Sequence, residues 1–297
     1  MNILMPLPAH DYDPTEAAVA WQVLTQAGHT VCFTTPNGLP AQADPLMLSG
    51  EGLDPWGWVP GLRKMKVLGL LLRAQHAARQ AHAVMVQSPH FGQPLTYEQA
   101  VEQHRLTPFD GLVLPGGHAK GMRPYLESTV LQALVASFFD ARDEHGQHRP
   151  VAAVCHGVLL AARARSVLTG RSVLHGRRTT ALTWRLEKSA WDLTRWWARF
   201  WDPLYYRTYA EGPGEPSGYW SVEAEVKRAL AADGDFADVP REAPYHWRKT
   251  AGLFRDTDHD DRAAWVVRDG RYLSARWPGD VHTWAHRFVS LLAESNP

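Results

Sequence analysis

Val151-Ala152-Ala153-Val154-Cys155-His156-Gly157 is the stretch whose reading decides the fold. Four apolar residues in a row, without polar alternation, read as a strand buried on both faces, as in a parallel sheet. The run then breaks at Cys155, and residues 157–165 read as a helix. A sharp strand-to-helix turn lifts its side chain out of the carboxyl edge of the sheet, where open α/β sheets bind ligands. The helix N-terminus behind Cys155 favours thiolate over thiol. Gly157 permits the close packing an elbow needs, and the His156 N–H points at a developing oxyanion. A buried, inert thiol is the competing reading, because free cysteine behaves as a small core hydrophobe.

Working outward, short apolar runs alternate with helical patterns, the signature of βα units. Residues 3–5 read as a first strand. Asp13-Pro14-Thr15-Glu16 opens a helix, with Asp13 as N-cap, Pro14 at the first helical position and Glu16 completing a capping box. Gly28 ends that helix and residues 30–34 read as the next strand. From 36 to 108 the pattern loosens, with helical stretches expected at 61–83 and 94–105. Gly111 to Leu114 reads as a buried strand, followed by Pro115-Gly116-Gly117-His118 and a helix over 125–144. A second irregular, aromatic-rich segment spans 184–261. A hairpin over 264–275 and a last helix capped by Asp280 close the chain. The expected fold class is α/β: a flavodoxin-like, doubly wound, mostly parallel sheet in one domain over 1–297. The segments 36–108 and 184–261 are read as insertions that form a cap.

Composition removes several function classes. The 297 residues carry 31 basic and 31 acidic side chains, so charge leaves no footprint for nucleic acid or an anionic membrane. No apolar run approaches the roughly 18 residues of a membrane span. The start lacks a basic and then apolar leader pattern, and the two cysteines, Cys32 and Cys155, make no disulfide framework. A cytoplasmic protein is therefore expected. The fifteen histidines show neither HExxH nor CxxC company, so they read as surface and core residues and no metal is expected. The thirteen tryptophans, concentrated between Trp184 and Trp265, read as a bulky apolar cap or interface.

Two further elements bear on chemistry. Gly116-Gly117 follows a buried strand, so the Gly117 amide is placed to complete an oxyanion hole with that of His156, with Gly116 and His118 at the substrate pocket. Neither GxGxxG nor GxxxxGK[ST] is present, which argues against a phosphate cradle, and an ordinary βα turn is the plainer reading. Glu16 begins its helix at the same carboxyl edge as Cys155. A carboxyl there hydrogen-bonds a sulfur and relays a proton.

The Asp13-to-Val19 helix start, Leu114-Pro115-Gly116-Gly117-His118-Ala119 and Ala153-Val154-Cys155-His156-Gly157 occur in the same order in the ThiJ/PfpI superfamily, which this sequence resembles. The closing Asp269-Gly270-Arg271-Tyr272-Leu273 hairpin and Trp277-Pro278-Gly279 turn are similar too. The superfamily is also called class I glutamine amidotransferase-like. Length and Cys-His adjacency resemble its large-insertion chaperone and glyoxalase III branch.

The resemblance implies Cys155 as nucleophile, Glu16 as its carboxyl partner, His156 as catalytic imidazole, and the Gly117 and His156 amides as oxyanion hole. It also implies an acid that orients His156, for which Glu187 is the nearest candidate and Asp192 the alternative. No cofactor is implied, and a homodimer is the family habit. The implied activity is glyoxalase III-type or deglycase chemistry on small reactive aldehydes such as methylglyoxal. Amide or peptide hydrolysis through an acyl-enzyme at Cys155 and a holdase chaperone are the alternatives. Glutamine amidotransfer fits less well, because His282 and His286 lack the paired His and Glu of those enzymes.

Overall fold

The computed structural model describes residues 1–142 and 146–294. One sheet holds seven strands: β1 (Asn2–Pro6), β2 (Thr30–Thr35), β3 (Leu95–Thr96), β4 (Gly111–Leu114), β5 (Val151–Val154), β6 (Val266–Asp269) and β7 (Tyr272–Ala275). Their spatial order is β3-β2-β1-β4-β5-β7-β6. Every neighbouring pair runs parallel except the β6–β7 hairpin. The central strands β4 and β5 are apolar and buried along their whole length, as their unbroken sequence runs require.

The longer helices are α1 (Pro14–Gln26), α2 (His76–Met85), α3 (Tyr97–Leu106), α4 (Thr129–Asp140), α5 (His156–Arg163), α6 (Trp184–Trp196), α7 (Val222–Ala229) and α8 (Val281–Ala293). On one side of the sheet α1 packs between α2 and α8; α3, α4 and α5 pack in succession as a separate group, with α7 against α5. No helix among the described residues is long and apolar enough to cross a membrane.

Several elements differ from the sequence expectation. The helical stretch expected at 61–83 is only Leu68–Leu72 and α2, because Arg73 between them is extended. The Asp54 carboxylate takes the amides of Val67, Leu68 and Gly69 at 2.9, 2.7 and 3.1 Å, which fixes where that short helix begins. Within 36–108, β3 adds an edge strand to the main sheet, and Thr96 then caps α3 in a capping box with Gln99. The helix expected over 125–144 is interrupted at Ser128, whose hydroxyl caps α4. That helix ends at Asp140, and the expected turn through 143–144 lies outside the described residues.

The segment 184–261 is not irregular throughout, since it carries α6 and α7. Asp280 is not the side-chain cap of α8. Its carboxylate is held by buried Arg276 at 2.7 and 2.9 Å, and Asp256 instead reaches the amides of His282 and Thr283 at 3.3 and 2.7 Å.

Candidate active site

The elbow after β5 is built by close backbone approach. Cys155 sits at φ 54°, ψ −123°, a conformation a side-chain-bearing residue holds only when its surroundings impose it. A Cβ on Gly157 would stand 1.9 Å from the Leu114 carbonyl oxygen, and one on Gly116 would stand 2.6 Å from the His156 nitrogen. Glycine at both positions lets the end of β4 and the start of α5 touch. Parallel neighbours β1, β4 and β5 end at one edge, so the start of α1, the Gly116-Gly117 loop and the elbow converge there.

Glu16 is fully buried, and its Oε2 accepts the Gly116 N–H at 2.7 Å. The Gly116 carbonyl in turn accepts the Asp13 N–H at 2.8 Å. The expected capping box is therefore absent: Asp13 caps the amides of Thr15 and Glu16, while the Glu16 carboxyl turns to the loop and to the Cys155 thiol. Burial, reinforced by the nearby Asp13 charge, pushes the Glu16 carboxyl well above the ordinary range, which favours its protonated form. Its Oε1 is buried without a hydrogen-bond partner.

Burial likewise pushes the Cys155 thiol well above its ordinary value, with the acids Glu16 and Asp13 adding to the effect. The resting group is thus a thiol, not the thiolate that the helix N-terminus alone predicts. Its Sγ lies 3.4 Å from Nδ1 of His156. At the other side of that ring, Nε2 is 2.9 Å from the Thr208 hydroxyl, which donates its single proton to the His118 carbonyl at 2.6 Å. Nε2 must therefore be the donor to Thr208, which leaves Nδ1 a bare acceptor for the thiol proton. Burial lowers the His156 pKa to about 3, so the ring rests neutral.

Neither acid expected to orient His156 does so. Buried Glu187 forms an ion pair with Arg207 at 3.2 Å and accepts the Val222 N–H at 3.1 Å; burial raises its pKa to about 7. Asp192 pairs on the surface of α6 with Lys188 and Arg195. Thr208 occupies the place assigned to the acid, and Glu187 holds Arg207, the residue beside it in the chain. Thr208 lies in a non-periodic segment with no motif around it, so no sequence signal pointed to it.

A cavity of about 150 Å³ opens on Cys155. His118, read as a pocket residue, lines it, and so do Glu16 and Gly117. Gly116 does not; its amide is taken by Glu16. The walls come from both segments read as insertions, with Met47, Leu71 and Leu72 from the first and Leu186, Leu193 and Tyr206 from the second. The His118 ring stacks on Tyr206 at 3.8 Å and is neutral, burial lowering its pKa to about 3. Asp13, Arg255 and Trp277 also face the cavity, Asp13 having been read from the sequence only as a cap. Among the described residues no group of three or more His, Cys, Asp or Glu side chains is arranged to hold a metal ion.

A doubly wound sheet carrying a strained cysteine elbow, with a buried carboxyl and an imidazole at the sulfur, defines the class. A family model described as ThiJ/PfpI family-like matches residues 7–220, and the chain belongs to that family. An uncharacterized protein of Schizosaccharomyces pombe, C14C4.04, is 24% identical over 164 residues; the match covers 55% of this chain and about half the length of that relative. Glyoxalase III from Candida albicans superposes with a TM-score of 0.56 at 16% identity, covering 98% of this chain and 97% of its own. The Rapid Encystment Protein 24 kDa of Francisella tularensis gives 0.55 at 12%, covering 98% of each. At these identities the two structures establish a shared fold.

Proposed function

We propose that the protein is a cofactor-independent cysteine enzyme that converts small oxoaldehydes, methylglyoxal among them, into hydroxy acids. The observation that carries this reading is the Cys155 thiol at the cavity, 3.4 Å from a neutral imidazole nitrogen that has no proton of its own. As the sulfur adds to the aldehyde carbon, its proton passes to His156 Nδ1 and on to the new alkoxide, giving a hemithioacetal. The Gly117 and His156 amides are the candidate donors to that oxygen, and the protonated Glu16, with its unpartnered Oε1, the candidate acid for the neighbouring one. A proton then leaves the aldehyde carbon for His156 and another reaches the adjacent carbon, leaving a thioester of the hydroxy acid. Water cleaves the thioester and restores the thiol. Oxoaldehyde plus water equals hydroxy acid, so no external oxidant or reductant enters.

The experiment is methylglyoxal consumption by the Cys155→Ser variant, with hydroxy acid measured as product. Turnover is expected to disappear while the melting temperature stays near the wild-type value; turnover at the wild-type rate ends this reading. Hydrolysis of an amide through an acyl-enzyme would use the same sulfur. A peptide substrate consumed while oxoaldehydes are ignored would put that reaction in its place. Exposed Trp58, Trp196, Trp197 and Trp247 favour an added holdase role, which would survive loss of the thiol.

A further inference from the structure

Arg255 is the only lysine or arginine among the residues lining the cavity. Among the described residues its guanidinium donates only to the carbonyls of Leu72 and Arg73, both at 3.3 Å, at the end of the short helix Leu68–Leu72. Among the described residues no carboxylate lies within ion-pair distance of it. The acid that acts on it most strongly is Asp13, whose Oδ1 is taken by the amides of Thr15 and Glu16. Arg255 is half-buried, and a guanidinium at a largely apolar cavity without a close counter-ion attracts a bound anion.

The rest of the lining is largely apolar, with Leu71, Leu72, Leu182, Leu186, Leu193 and Leu253. The cavity's 150 Å³ has room for on the order of ten water-sized groups, more than a three-carbon aldehyde fills. A largely apolar chamber with the carboxyls of Asp13 and Glu16, one guanidinium that has no ion-pair partner and one nucleophile matches a molecule with an electrophile, an apolar stretch and an anion seated at Arg255.

We propose that Arg255 is a specificity-determining residue that binds a carboxylate, so that the preferred substrates are oxoaldehydes carrying a carboxylate beyond an apolar chain. This rests on the nucleophile reading above and adds to it the substrate class. Arg255 also ties the loop at 251–255 to the end of the Leu68–Leu72 helix, and the test separates recognition from that structural role.

The test compares kcat/KM for two oxoaldehydes of equal chain length, one ending in a carboxylate and the other in the neutral amide. The wild type is expected to prefer the carboxylate by about tenfold or more, the scale of a charge-assisted contact. Arg255→Gln should bring that ratio close to one through KM, and Arg255→Lys should keep part of it. A wild-type ratio near one overturns the proposal, as does a ratio that Arg255→Gln leaves in place. Calorimetry with hexanoate on the Cys155→Ser variant gives a readout independent of turnover. Binding is expected there and is expected to be lost when Arg255→Gln is added; absence of binding, or binding indifferent to residue 255, counts against the carboxylate site. Turnover retained by Cys155→Ser overturns the nucleophile reading alone, so the two failures are distinguishable.

Discussion

His156 is held as a single tautomer by a hydroxyl that has already spent its own proton on the His118 carbonyl. Under the proposed mechanism that arrangement makes Thr208 a positioning residue: it touches the imidazole, not the reacting atoms. Thr208→Val removes the acceptor for Nε2–H and leaves a buried donor unpaired. The expected result is a fall in kcat of about tenfold or more, with Thr208→Ser restoring most of it. Wild-type kcat in Thr208→Val would show that the hydroxyl has no such role. Cys155 and Glu16 were legible because each belongs to a strand end or helix start with its own pattern. Thr208 and Arg255 were not, since nothing local in a loop records which distant side chain it meets.

Helix ends show what a local pattern can and cannot reveal. Asp13 was readable as a cap because its partners lie two and three residues away. Asp256 was not, because the amides it reaches belong to α8, 26 and 27 positions further on. Asp256→Ala should cost about 1–2 kcal/mol of stability, read as a shift in the denaturation midpoint, and Asp256→Asn should recover much of it. No shift in the alanine variant would show that this cap contributes nothing. The same distinction explains Glu16. Its spacing from Asp13 suits a capping box, but β4 ends beside α1, and the Gly116 amide captures the carboxyl first.

Across the whole molecule, buried titrating groups set how stability responds to pH, and they act in opposite directions. Asp13 is raised to about 6 and Asp256 to about 7, chiefly by burial. The folded state therefore keeps protons that the unfolded chain releases, and stability from these acids falls as pH rises from about 4 through those values. Buried histidines oppose this. His104, stacked 4.2 Å from Phe138 and accepting the Phe109 N–H, is lowered to about 4 by burial and then by Arg149. It is neutral in the fold and charged in the unfolded chain below about pH 6.5, so its contribution is complete above 6.5 and is lost as pH falls to 4. The stability difference between wild type and His104→Asn should therefore shrink by about 3 kcal/mol between pH 6.5 and 4, measured by denaturation at both. A difference independent of pH would show that His104 does not titrate in this way.

What the chain alone determined were the features that depend on neighbours a few residues away. These are the unbroken apolar strands β4 and β5, the start of α1, and the strand-to-helix turn that carries Cys155. Periodicity and turn chemistry act over single elements, and one element holds all their information. Tertiary structure alone decided which group holds His156, that Glu187 pairs with Arg207, that the thiol rests protonated, and that Arg255 faces the cavity. Each of these depends on contacts and burial between segments far apart in sequence, and burial is a property of the packed molecule.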